Sequence, residues 1–290
     1  MLINFCAEVS SNHHQDINRC YDFIDAAADM GCNSVKFQLF KIDELFHKKA
    51  ILKNPNLVER KNWELPVKFI PLLSERAKKN NIQFSCTPFY LDAVDELVDH
   101  VDFFKIASYE ILWKELFVRC AKSNKPVVFS TGMANLFEIE TAVNILLDNG
   151  CSDITILHCS SVYPTKYYNS NLNFINTMRE KFDKENSDIN IKYGWSDHTV
   201  DESVIYRSVH KFDCEFIEFH LDLDKQGAEF GSGHCWLPSE MKHVISNVNR
   251  SIKSDGDNIK KMIDFEISER DWRADSSDGL RPIKSFRGKL

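Results

Sequence analysis

Short apolar strands that end in polar, chemically capable side chains recur along the whole chain, and this repetition is its most constraining feature. Successive apolar runs end at or just before Glu8, Gln38, Thr87, Ser108, Thr131, Ser160, His198 and His220. In a (β/α)8 barrel the carboxyl ends of all the parallel strands meet on one face, and active sites lie there. The pattern therefore predicts a barrel enzyme with one pocket that collects Glu, Lys, Ser, Thr and His side chains.

Amphipathic helices are predicted between the strands. Residues 16–30 place Cys20, Phe23 and Ile24 at the three-four spacing of a buried helical face, and Gly31 follows as a typical helix stop. Eight strand–helix units in strict alternation favour a barrel over an open doubly wound sheet. No glycine-rich dinucleotide fingerprint follows the first strand, which further disfavours a Rossmann domain. The polar stretch 48–63 is predicted to be a loop over the catalytic face.

Length and composition bound the class of protein. The chain has 290 residues, of which 43% are hydrophobic, enough for one large core. We predict a barrel domain over 1–263 and a charged tail or arm over 264–290. The net charge is −7 and Lys and Arg do not cluster, which disfavours nucleic-acid binding. No apolar run reaches the ~18 residues of a membrane span, and no signal peptide is recognised, so a cytoplasmic location is expected.

Two histidines and two lysines stand out at the strand ends. His198 and His220 end neighbouring strands, where two imidazoles can bind one divalent metal ion, or each can simply donate a hydrogen bond. Lys36 and Lys105 lie on strands two and four, and a buried lysine without an anionic partner is costly. They either pair with a glutamate such as Glu8 or Glu110, or they bind an anionic ligand.

Hydroxyl side chains gather at the same level of the predicted barrel. They are Thr87, Ser108, Ser130, Ser161 and Ser196. Together with two lysines, such donors suit a phosphate and a carboxylate on one small molecule. Glu8 is the carboxylate that we expect to act as acid/base or to orient a water molecule, the alternative being a salt bridge to a barrel lysine.

Ordered motifs around these residues carry a family resemblance. They are Ala-Glu-Val-Ser-Ser-Asn-His at 7–13, Lys-Phe-Gln at 36–38, Thr-Pro-Phe at 87–89, Lys-Ile-Ala-Ser at 105–108, Ser-Thr-Gly-Met at 130–133, Tyr-Pro-Thr at 163–165 and Ser-Asp-His-Thr at 196–199. In this order they resemble the sialic acid (N-acetylneuraminate) synthase family over roughly residues 3–250. The resemblance is specific because many independent motifs agree.

The resemblance implies a metal-dependent enzyme that condenses phosphoenolpyruvate with an aldose such as N-acetylmannosamine, giving a nonulosonic 2-keto acid and phosphate. It implies Mn²⁺ or Mg²⁺ on His198 and His220, and catalytic roles for Glu8, Lys36 and Lys105. The positions that would hold phosphoenolpyruvate are Lys36, Thr87, Lys105, Ser108, Ser130, Ser161 and Ser196. Those that would face the sugar are Asn12, Gln38, Glu110 and Tyr163. A homodimer is expected by the same resemblance.

Departures from the family pattern fall on the sugar side. Tyr109 adds a ring in the strand-four motif, and Gly231-Ser232-Gly233-His234 replaces a Gly-Pro-Asp segment, so the loop carboxylate is predicted to be missing. Given this resemblance, we expect the chain to lack the antifreeze-like domain that supplies an arginine to the sugar site in most members. The candidates to replace that arginine are Arg273, Arg281 and Arg287, which are otherwise surface residues.

Two other readings fit the same fold. A Schiff-base aldolase would use Lys36 or Lys105 as its nucleophile and would need no metal ion. A non-catalytic sugar-binding barrel would have lost Glu8, one of the lysines or a histidine, and none of these is lost.

Overall fold

The computed structural model describes residues 3–185, 189 and 191–290. In this part of the chain, eight parallel strands close into a barrel in sequence order, so the predicted (β/α)8 fold is confirmed. The strands are β1 (Asn4–Glu8), β2 (Ser34–Leu39), β3 (Gln83–Pro88), β4 (Phe103–Ile106), β5 (Val127–Ser130), β6 (Ile154–His158), β7 (Ile191–Asp197) and β8 (Phe216–His220).

Helices alternate with the strands, and the last two helices follow the last strand. Their bounds are α1 (Ile17–Met30), α2 (Ile42–Leu45), α3 (Lys48–Lys53), α4 (Ile70–Lys79), α5 (Asp92–Leu97), α6 (Lys114–Lys122), α7 (Leu136–Asp148), α8 (Asn173–Glu185), α9 (Glu202–Phe212), α10 (Pro238–Ser254) and α11 (Lys284–Arg287). The first helix forms as predicted: the Asp16 side chain accepts a hydrogen bond from the Asn18 backbone N–H, and Gly31 ends α1 with φ 89°. Glycine suits this left-handed conformation because it has no Cβ.

The excursion after β2 corrects the sequence prediction of a loop. Residues 48–63 form helix α3 and a 3₁₀ segment, Pro55–Trp63, and α2 precedes them. The breakers at Asn54 and Pro55 lie at the junction between the two segments rather than inside a helix. Glu64 also accepts a hydrogen bond from the Ile42 backbone N–H at 2.7 Å, which fixes the start of α2 from outside the helix. Such distant contacts are not visible in local periodicity.

An apolar floor fills the barrel below its polar face. It is a buried cluster of Cys6, Phe103, Val128, Leu157 and Phe216. The rings of Phe103 and Phe216 meet edge-on with centroids 5.8 Å apart. Since alternate residues of a strand share a face, the residue two positions beyond each floor residue points into the same interior, one level higher. These next positions include Lys105 and Glu218, so the floor carries a layer of charge.

One glycine completes the floor. A Cβ atom at Gly194 would lie 2.2 Å from the Phe216 carbonyl oxygen and 2.6 Å from Leu157 Cδ2. No side chain fits there, and β7 therefore contributes only backbone at this level. Two positions on, Ser196 enters the charged layer.

The contacts divide the chain into a unit that ends at Asn249 and a second unit that covers Arg250–Leu290. The predicted boundary after residue 263, the expected homodimer and the cytoplasmic location stay predictions. Among the described residues, no helix combines the length and the apolar character that crossing a membrane requires.

Candidate active site

A layer of four buried charges crosses the barrel interior. Lys36 forms an ion pair with Glu8, its neighbour in the β1–β2 register. Glu218 lies between the lysines, with Oε2 3.8 Å from Lys36 Nζ and Oε1 3.6 Å from Lys105 Nζ. All four side chains are at most 5% exposed. Two cations and two anions balance, which a buried cluster requires because an unpaired charge in a dry interior is costly.

Polar neighbours hold this charged layer in place. Lys36 Nζ donates a hydrogen bond to Thr87 Oγ1 at 3.2 Å. Gln38 Nε2 donates to Glu8 Oε1 at 2.9 Å, and Ser196 Oγ donates to Glu218 Oε1 at 3.0 Å. Several side chains predicted to hold phosphoenolpyruvate or to act in catalysis are therefore neighbours. Their individual roles stay predictions.

Burial and charge pull the ionisation of this layer in opposite directions. Burial opposes ionisation of Glu218, but Lys105 and Lys36 outweigh it and hold the pKa of this carboxyl at about 2. For Lys36, burial is the largest effect and lowers the pKa of the ammonium group, with Lys105 adding to the decrease and Glu218 opposing it. Glu218 thus stays anionic at neutral pH and keeps the two lysines close together.

Hydroxyl groups line the neighbouring wall, at the ends of β4, β5 and β6. The Gly132 backbone N–H donates to Ser108 Oγ at 3.0 Å, and a Cβ atom at Gly132 would lie 2.0 Å from Ser161 Oγ. The absence of a side chain at Gly132 thus makes room for both hydroxyls. Among the described residues, the buried Oγ atoms of Ser130 and Ser161 have no hydrogen-bond partner. Buried polar atoms are normally paired, so these hydroxyls are suited to a ligand.

Three imidazoles and a phenol ring stand one level above the charges. The ring centroids of His198 and His220 are 5.3 Å apart, and those of His220 and His234 are 4.6 Å apart. Tyr163 packs beside His198 at 4.3 Å. His198 Nδ1 lies 2.9 Å from the Ser160 carbonyl oxygen. A carbonyl only accepts hydrogen bonds, so Nδ1 carries the proton and Nε2 keeps a lone pair for a metal ion.

Glu229 joins the imidazole group from the loop between β8 and α10. Its Oε2 lies 3.0 Å from His220 Nδ1 and 3.5 Å from His234 Nε2, while Ser10 Oγ donates to Oε1 at 2.5 Å. The ligand atoms of His220, Glu229, His234 and Cys235 all lie within 4.8 Å of one another. Imidazoles with a carboxylate are an established donor set for divalent metal ions. The residues present therefore fit such a cation.

The predicted sugar-facing residues differ in their surroundings. Gln38 and Tyr163 lie beside the charged layer and the imidazoles. Glu110 follows β4, and burial raises the pKa of its carboxyl to about 7. Asn12 is fully buried: its amide donates to the Leu221 carbonyl oxygen at 2.9 Å, and its Oδ1 accepts the Glu229 N–H at 2.8 Å. Asn12 thus fixes the loop after β8, and its predicted contact with sugar stays a prediction.

Sequence reasoning missed Glu229 and His234 as site residues. The predicted absence of a carboxylate within Gly231-Ser232-Gly233-His234 stays a prediction for the sugar site, but Glu229, just before this segment, lies against His220. The available signal was the recurrence of histidine within a short span, with a glutamate five residues before His234. Asp197, the neighbour of His198 in sequence, accepts hydrogen bonds from the indole N–H groups of Trp195 and Trp236 at 2.9 Å each.

The chain is similar in sequence and in fold to several known proteins. A family model described as the NeuB family matches residues 23–260. The N,N'-diacetyllegionaminic acid synthase of Campylobacter jejuni is 35% identical over 268 residues, which are 88% of this chain and 78% of the relative. The pseudaminic acid synthase of Helicobacter pylori is 27% identical over 96% of this chain and 83% of the relative. A solved structure of the sialic acid synthetase of Leptospira borgpetersenii superposes with a TM-score of 0.79 at 31% identity, covering 93% of this chain and 90% of that one.

Proposed function

Because the chain belongs to the NeuB family, we propose that it condenses phosphoenolpyruvate with an amino-sugar aldehyde, giving a nonulosonic 2-keto acid and inorganic phosphate. One observation carries the proposal. Two buried lysines and a set of hydroxyls, with Ser130 Oγ and Ser161 Oγ unpaired among the described residues, lie directly below a group of imidazoles. This arrangement in two levels supports binding of an anionic substrate deep in the barrel and of a second substrate above it.

Lys36 and Lys105 supply the positive charge for phosphoenolpyruvate. Glu218 holds their ammonium groups near each other, so the positively charged binding site for a dianionic or trianionic ligand is already formed before the ligand binds. Charge-assisted hydrogen bonds to phosphate and carboxylate oxygens are stronger than neutral ones. The hydroxyls of Thr87 and Ser108 add neutral donors at the same level. The preformed binding site stabilises the charge that shifts onto phosphate as it leaves.

We assign to Glu8 the role of orienting the attacking water molecule. Glu8 lies between Lys36 and Gln38, which fix the carboxylate from two sides. In the reaction, carbon three of phosphoenolpyruvate bonds to the aldehyde carbon, which leaves an alkoxide on the former aldehyde oxygen and a cation at carbon two. Water adds to carbon two, and one of its protons passes by way of Glu8 to the alkoxide. The bond between carbon two and the bridging oxygen then breaks, phosphate leaves with that oxygen and with the second proton of the water, and carbon two becomes the keto carbonyl.

The metal ion of the proposal would be held at His198 and His220. A divalent cation there supplies Lewis-acid polarisation of the aldehyde oxygen. Tyr163 packs on the His198 ring and orients it, while Ser160 fixes its tautomer. These contacts keep the imidazole Nε2 atom available on the substrate side.

The class of acceptor follows from the relatives. Proteins named legionaminic and pseudaminic acid synthases support an acetamido sugar as the acceptor. Glu110 suits this recognition: with a pKa of about 7, its carboxyl is partly protonated at neutral pH and can donate as well as accept a hydrogen bond.

Phosphate release tests the proposal. Purified protein is incubated with phosphoenolpyruvate and Mn²⁺, with N-acetylmannosamine, its 6-phosphate or 2,4-diacetamido hexoses as acceptors, and with an EDTA control. We expect phosphate only when one of these sugars and a metal ion are present. The absence of phosphoenolpyruvate binding by calorimetry would contradict the proposal. With phosphoenolpyruvate labelled in the bridging oxygen, we expect the label in the released phosphate. Label in the keto acid would contradict the mechanism.

A Schiff-base aldolase predicts a different result. Borohydride with a 2-keto acid would then trap the ligand on Lys36 or Lys105, and EDTA would leave activity intact. The ion pair with Glu8 favours the protonated form of Lys36 and so opposes this chemistry, although burial lowers the pKa of the same ammonium group.

A further inference from the structure

The loop between β8 and α10 brings extra metal-binding groups to the imidazoles. His234 and Glu229 lie on this loop, and their ligand atoms fall within 4.8 Å of those of His220. His220 and His234 are 8% and 4% exposed, and Glu229 is 21% exposed, so the group is shielded but open on one side. The resemblance identified only His198 and His220 as metal ligands.

His234 has no other visible task. Its Nδ1 is buried without a hydrogen-bond partner among the described residues, and its Nε2 faces Glu229 Oε2 at 3.5 Å. A buried unpaired ring nitrogen is unfavourable and calls for a ligand. A metal ion accepts the lone pair of neutral imidazole, which satisfies such an atom.

The loop geometry is fixed from several directions, as a metal site requires. Ser10 holds Glu229 Oε1, and Asn12 holds the Glu229 backbone N–H. Gly227 permits this packing, because a Cβ there would lie 2.5 Å from Asn12 Oδ1 and 2.3 Å from Asp222 Oδ1. The carboxylate is therefore positioned before any ligand arrives.

We propose that the cation of this enzyme is held by His234 and Glu229 in addition to His198 and His220. The proposed donor set joins the ligand atoms of His220, Glu229 and His234, which lie within 4.8 Å of one another, to the Nε2 atom of His198, which lies outside that group. Imidazole-rich sites favour Co²⁺ and Zn²⁺ over Mg²⁺, which prefers oxygen ligands and keeps its water. The site therefore selects against Mg²⁺, a property that two histidines alone would impose less strongly. This inference rests on the proposed function only in expecting a divalent cation at the site.

Metal binding to the full chain tests the inference without turnover. EDTA-treated protein is titrated with Co²⁺ and with Mg²⁺ by calorimetry, and the visible absorption of bound Co²⁺ is recorded. We expect one Co²⁺ per chain and at least ~10-fold weaker Mg²⁺ binding. His234→Ala and Glu229→Gln should each weaken Co²⁺ binding at least ~10-fold and change the absorption spectrum.

An exposed histidine on α10 provides the matched control. His243→Ala removes an imidazole that contacts Asn247, and it should leave Co²⁺ affinity and spectrum unchanged. His234→Gln replaces His234→Ala if circular dichroism shows that the alanine variant is unfolded. Wild-type Co²⁺ affinity and spectrum in a folded His234 variant would overturn the inference.

The outcome is separable from that of the proposed function. Co²⁺ binding through His234 without phosphate release from any sugar would leave this inference standing and remove the reaction. Metal-dependent phosphate release, together with unchanged Co²⁺ affinity and spectrum in His234→Ala, would support the reaction and overturn this inference.

Discussion

Glu218 allows a quantitative prediction, because its carboxylate lies within 4 Å of the ammonium groups of two buried lysines. With an effective dielectric constant of ~20, its attraction to Lys105 at 3.6 Å and to Lys36 at 3.8 Å is about 4–5 kcal/mol each. Glu218→Gln keeps the shape and the hydrogen bond from Ser196 but removes the charge. Since glutamine also avoids the cost of burying a carboxylate, the net loss of unfolding free energy should be about 3–5 kcal/mol.

The same substitution should strengthen binding of phosphoenolpyruvate. Under the proposed function, Glu218 of the wild type would compete with the anionic ligand for the two lysines that it contacts. Without it, affinity should rise about tenfold, which corresponds to ~1.4 kcal/mol. Stability and ligand affinity therefore change in opposite directions, which a general packing defect would not produce.

Urea unfolding with and without phosphoenolpyruvate measures both quantities. The ligand-dependent gain in unfolding free energy gives the dissociation constant. Glu59→Gln removes an exposed carboxylate and is the control, expected to change stability by less than ~0.5 kcal/mol. The electrostatic reasoning is refuted if Glu218→Gln is as stable as wild type, or if it binds phosphoenolpyruvate more weakly.

Three further substitutions probe other parts of the molecule. Burial raises the pKa of Glu110 from 4.5 to about 7, so between these pH values the folded state binds more protons than the unfolded state. The unfolding free energy should therefore fall as the pH rises from 4.5 to 7, and Glu110→Gln should reduce this fall in urea titrations at pH 5 and 7.5. Gly132→Ala should displace the Ser108 hydroxyl, which lies 2.8 Å from the new Cβ, and raise the KM for phosphoenolpyruvate in a phosphate-release assay at least ~10-fold. Gly194→Ala should cost ~1–3 kcal/mol or more by overpacking the barrel floor, while Gly288→Ala, with open space around it, should leave the melting temperature unchanged.

The strand ends could be predicted because barrel geometry is periodic. β8 alone shows why: its residues Phe216, Glu218 and His220 alternate with outward-facing ones and supply the floor, the charged layer and the imidazoles in turn. Each position is fixed by the strand that carries it, so the order of residues in the sequence translates directly into height in the barrel.

The loops could not be predicted in the same way. Glu229 reaches His220 only because Asn12, more than two hundred residues away in sequence, fixes the backbone of the loop after β8. No period or local signal records such a contact. Likewise, the short helix α3 begins with a His47 side chain that accepts a hydrogen bond from the Lys49 backbone N–H, and the sequence pattern of this region is too polar to predict a helix.

The apolar floor also limits how a ligand can reach the barrel interior. Because the cluster around Phe103 and Phe216 fills the barrel from below, a molecule that reaches Lys36 enters and departs by the same opening, past His220 and Tyr163. If phosphoenolpyruvate binds at the lysines and the sugar binds above it, as proposed, phosphoenolpyruvate has to bind before the sugar.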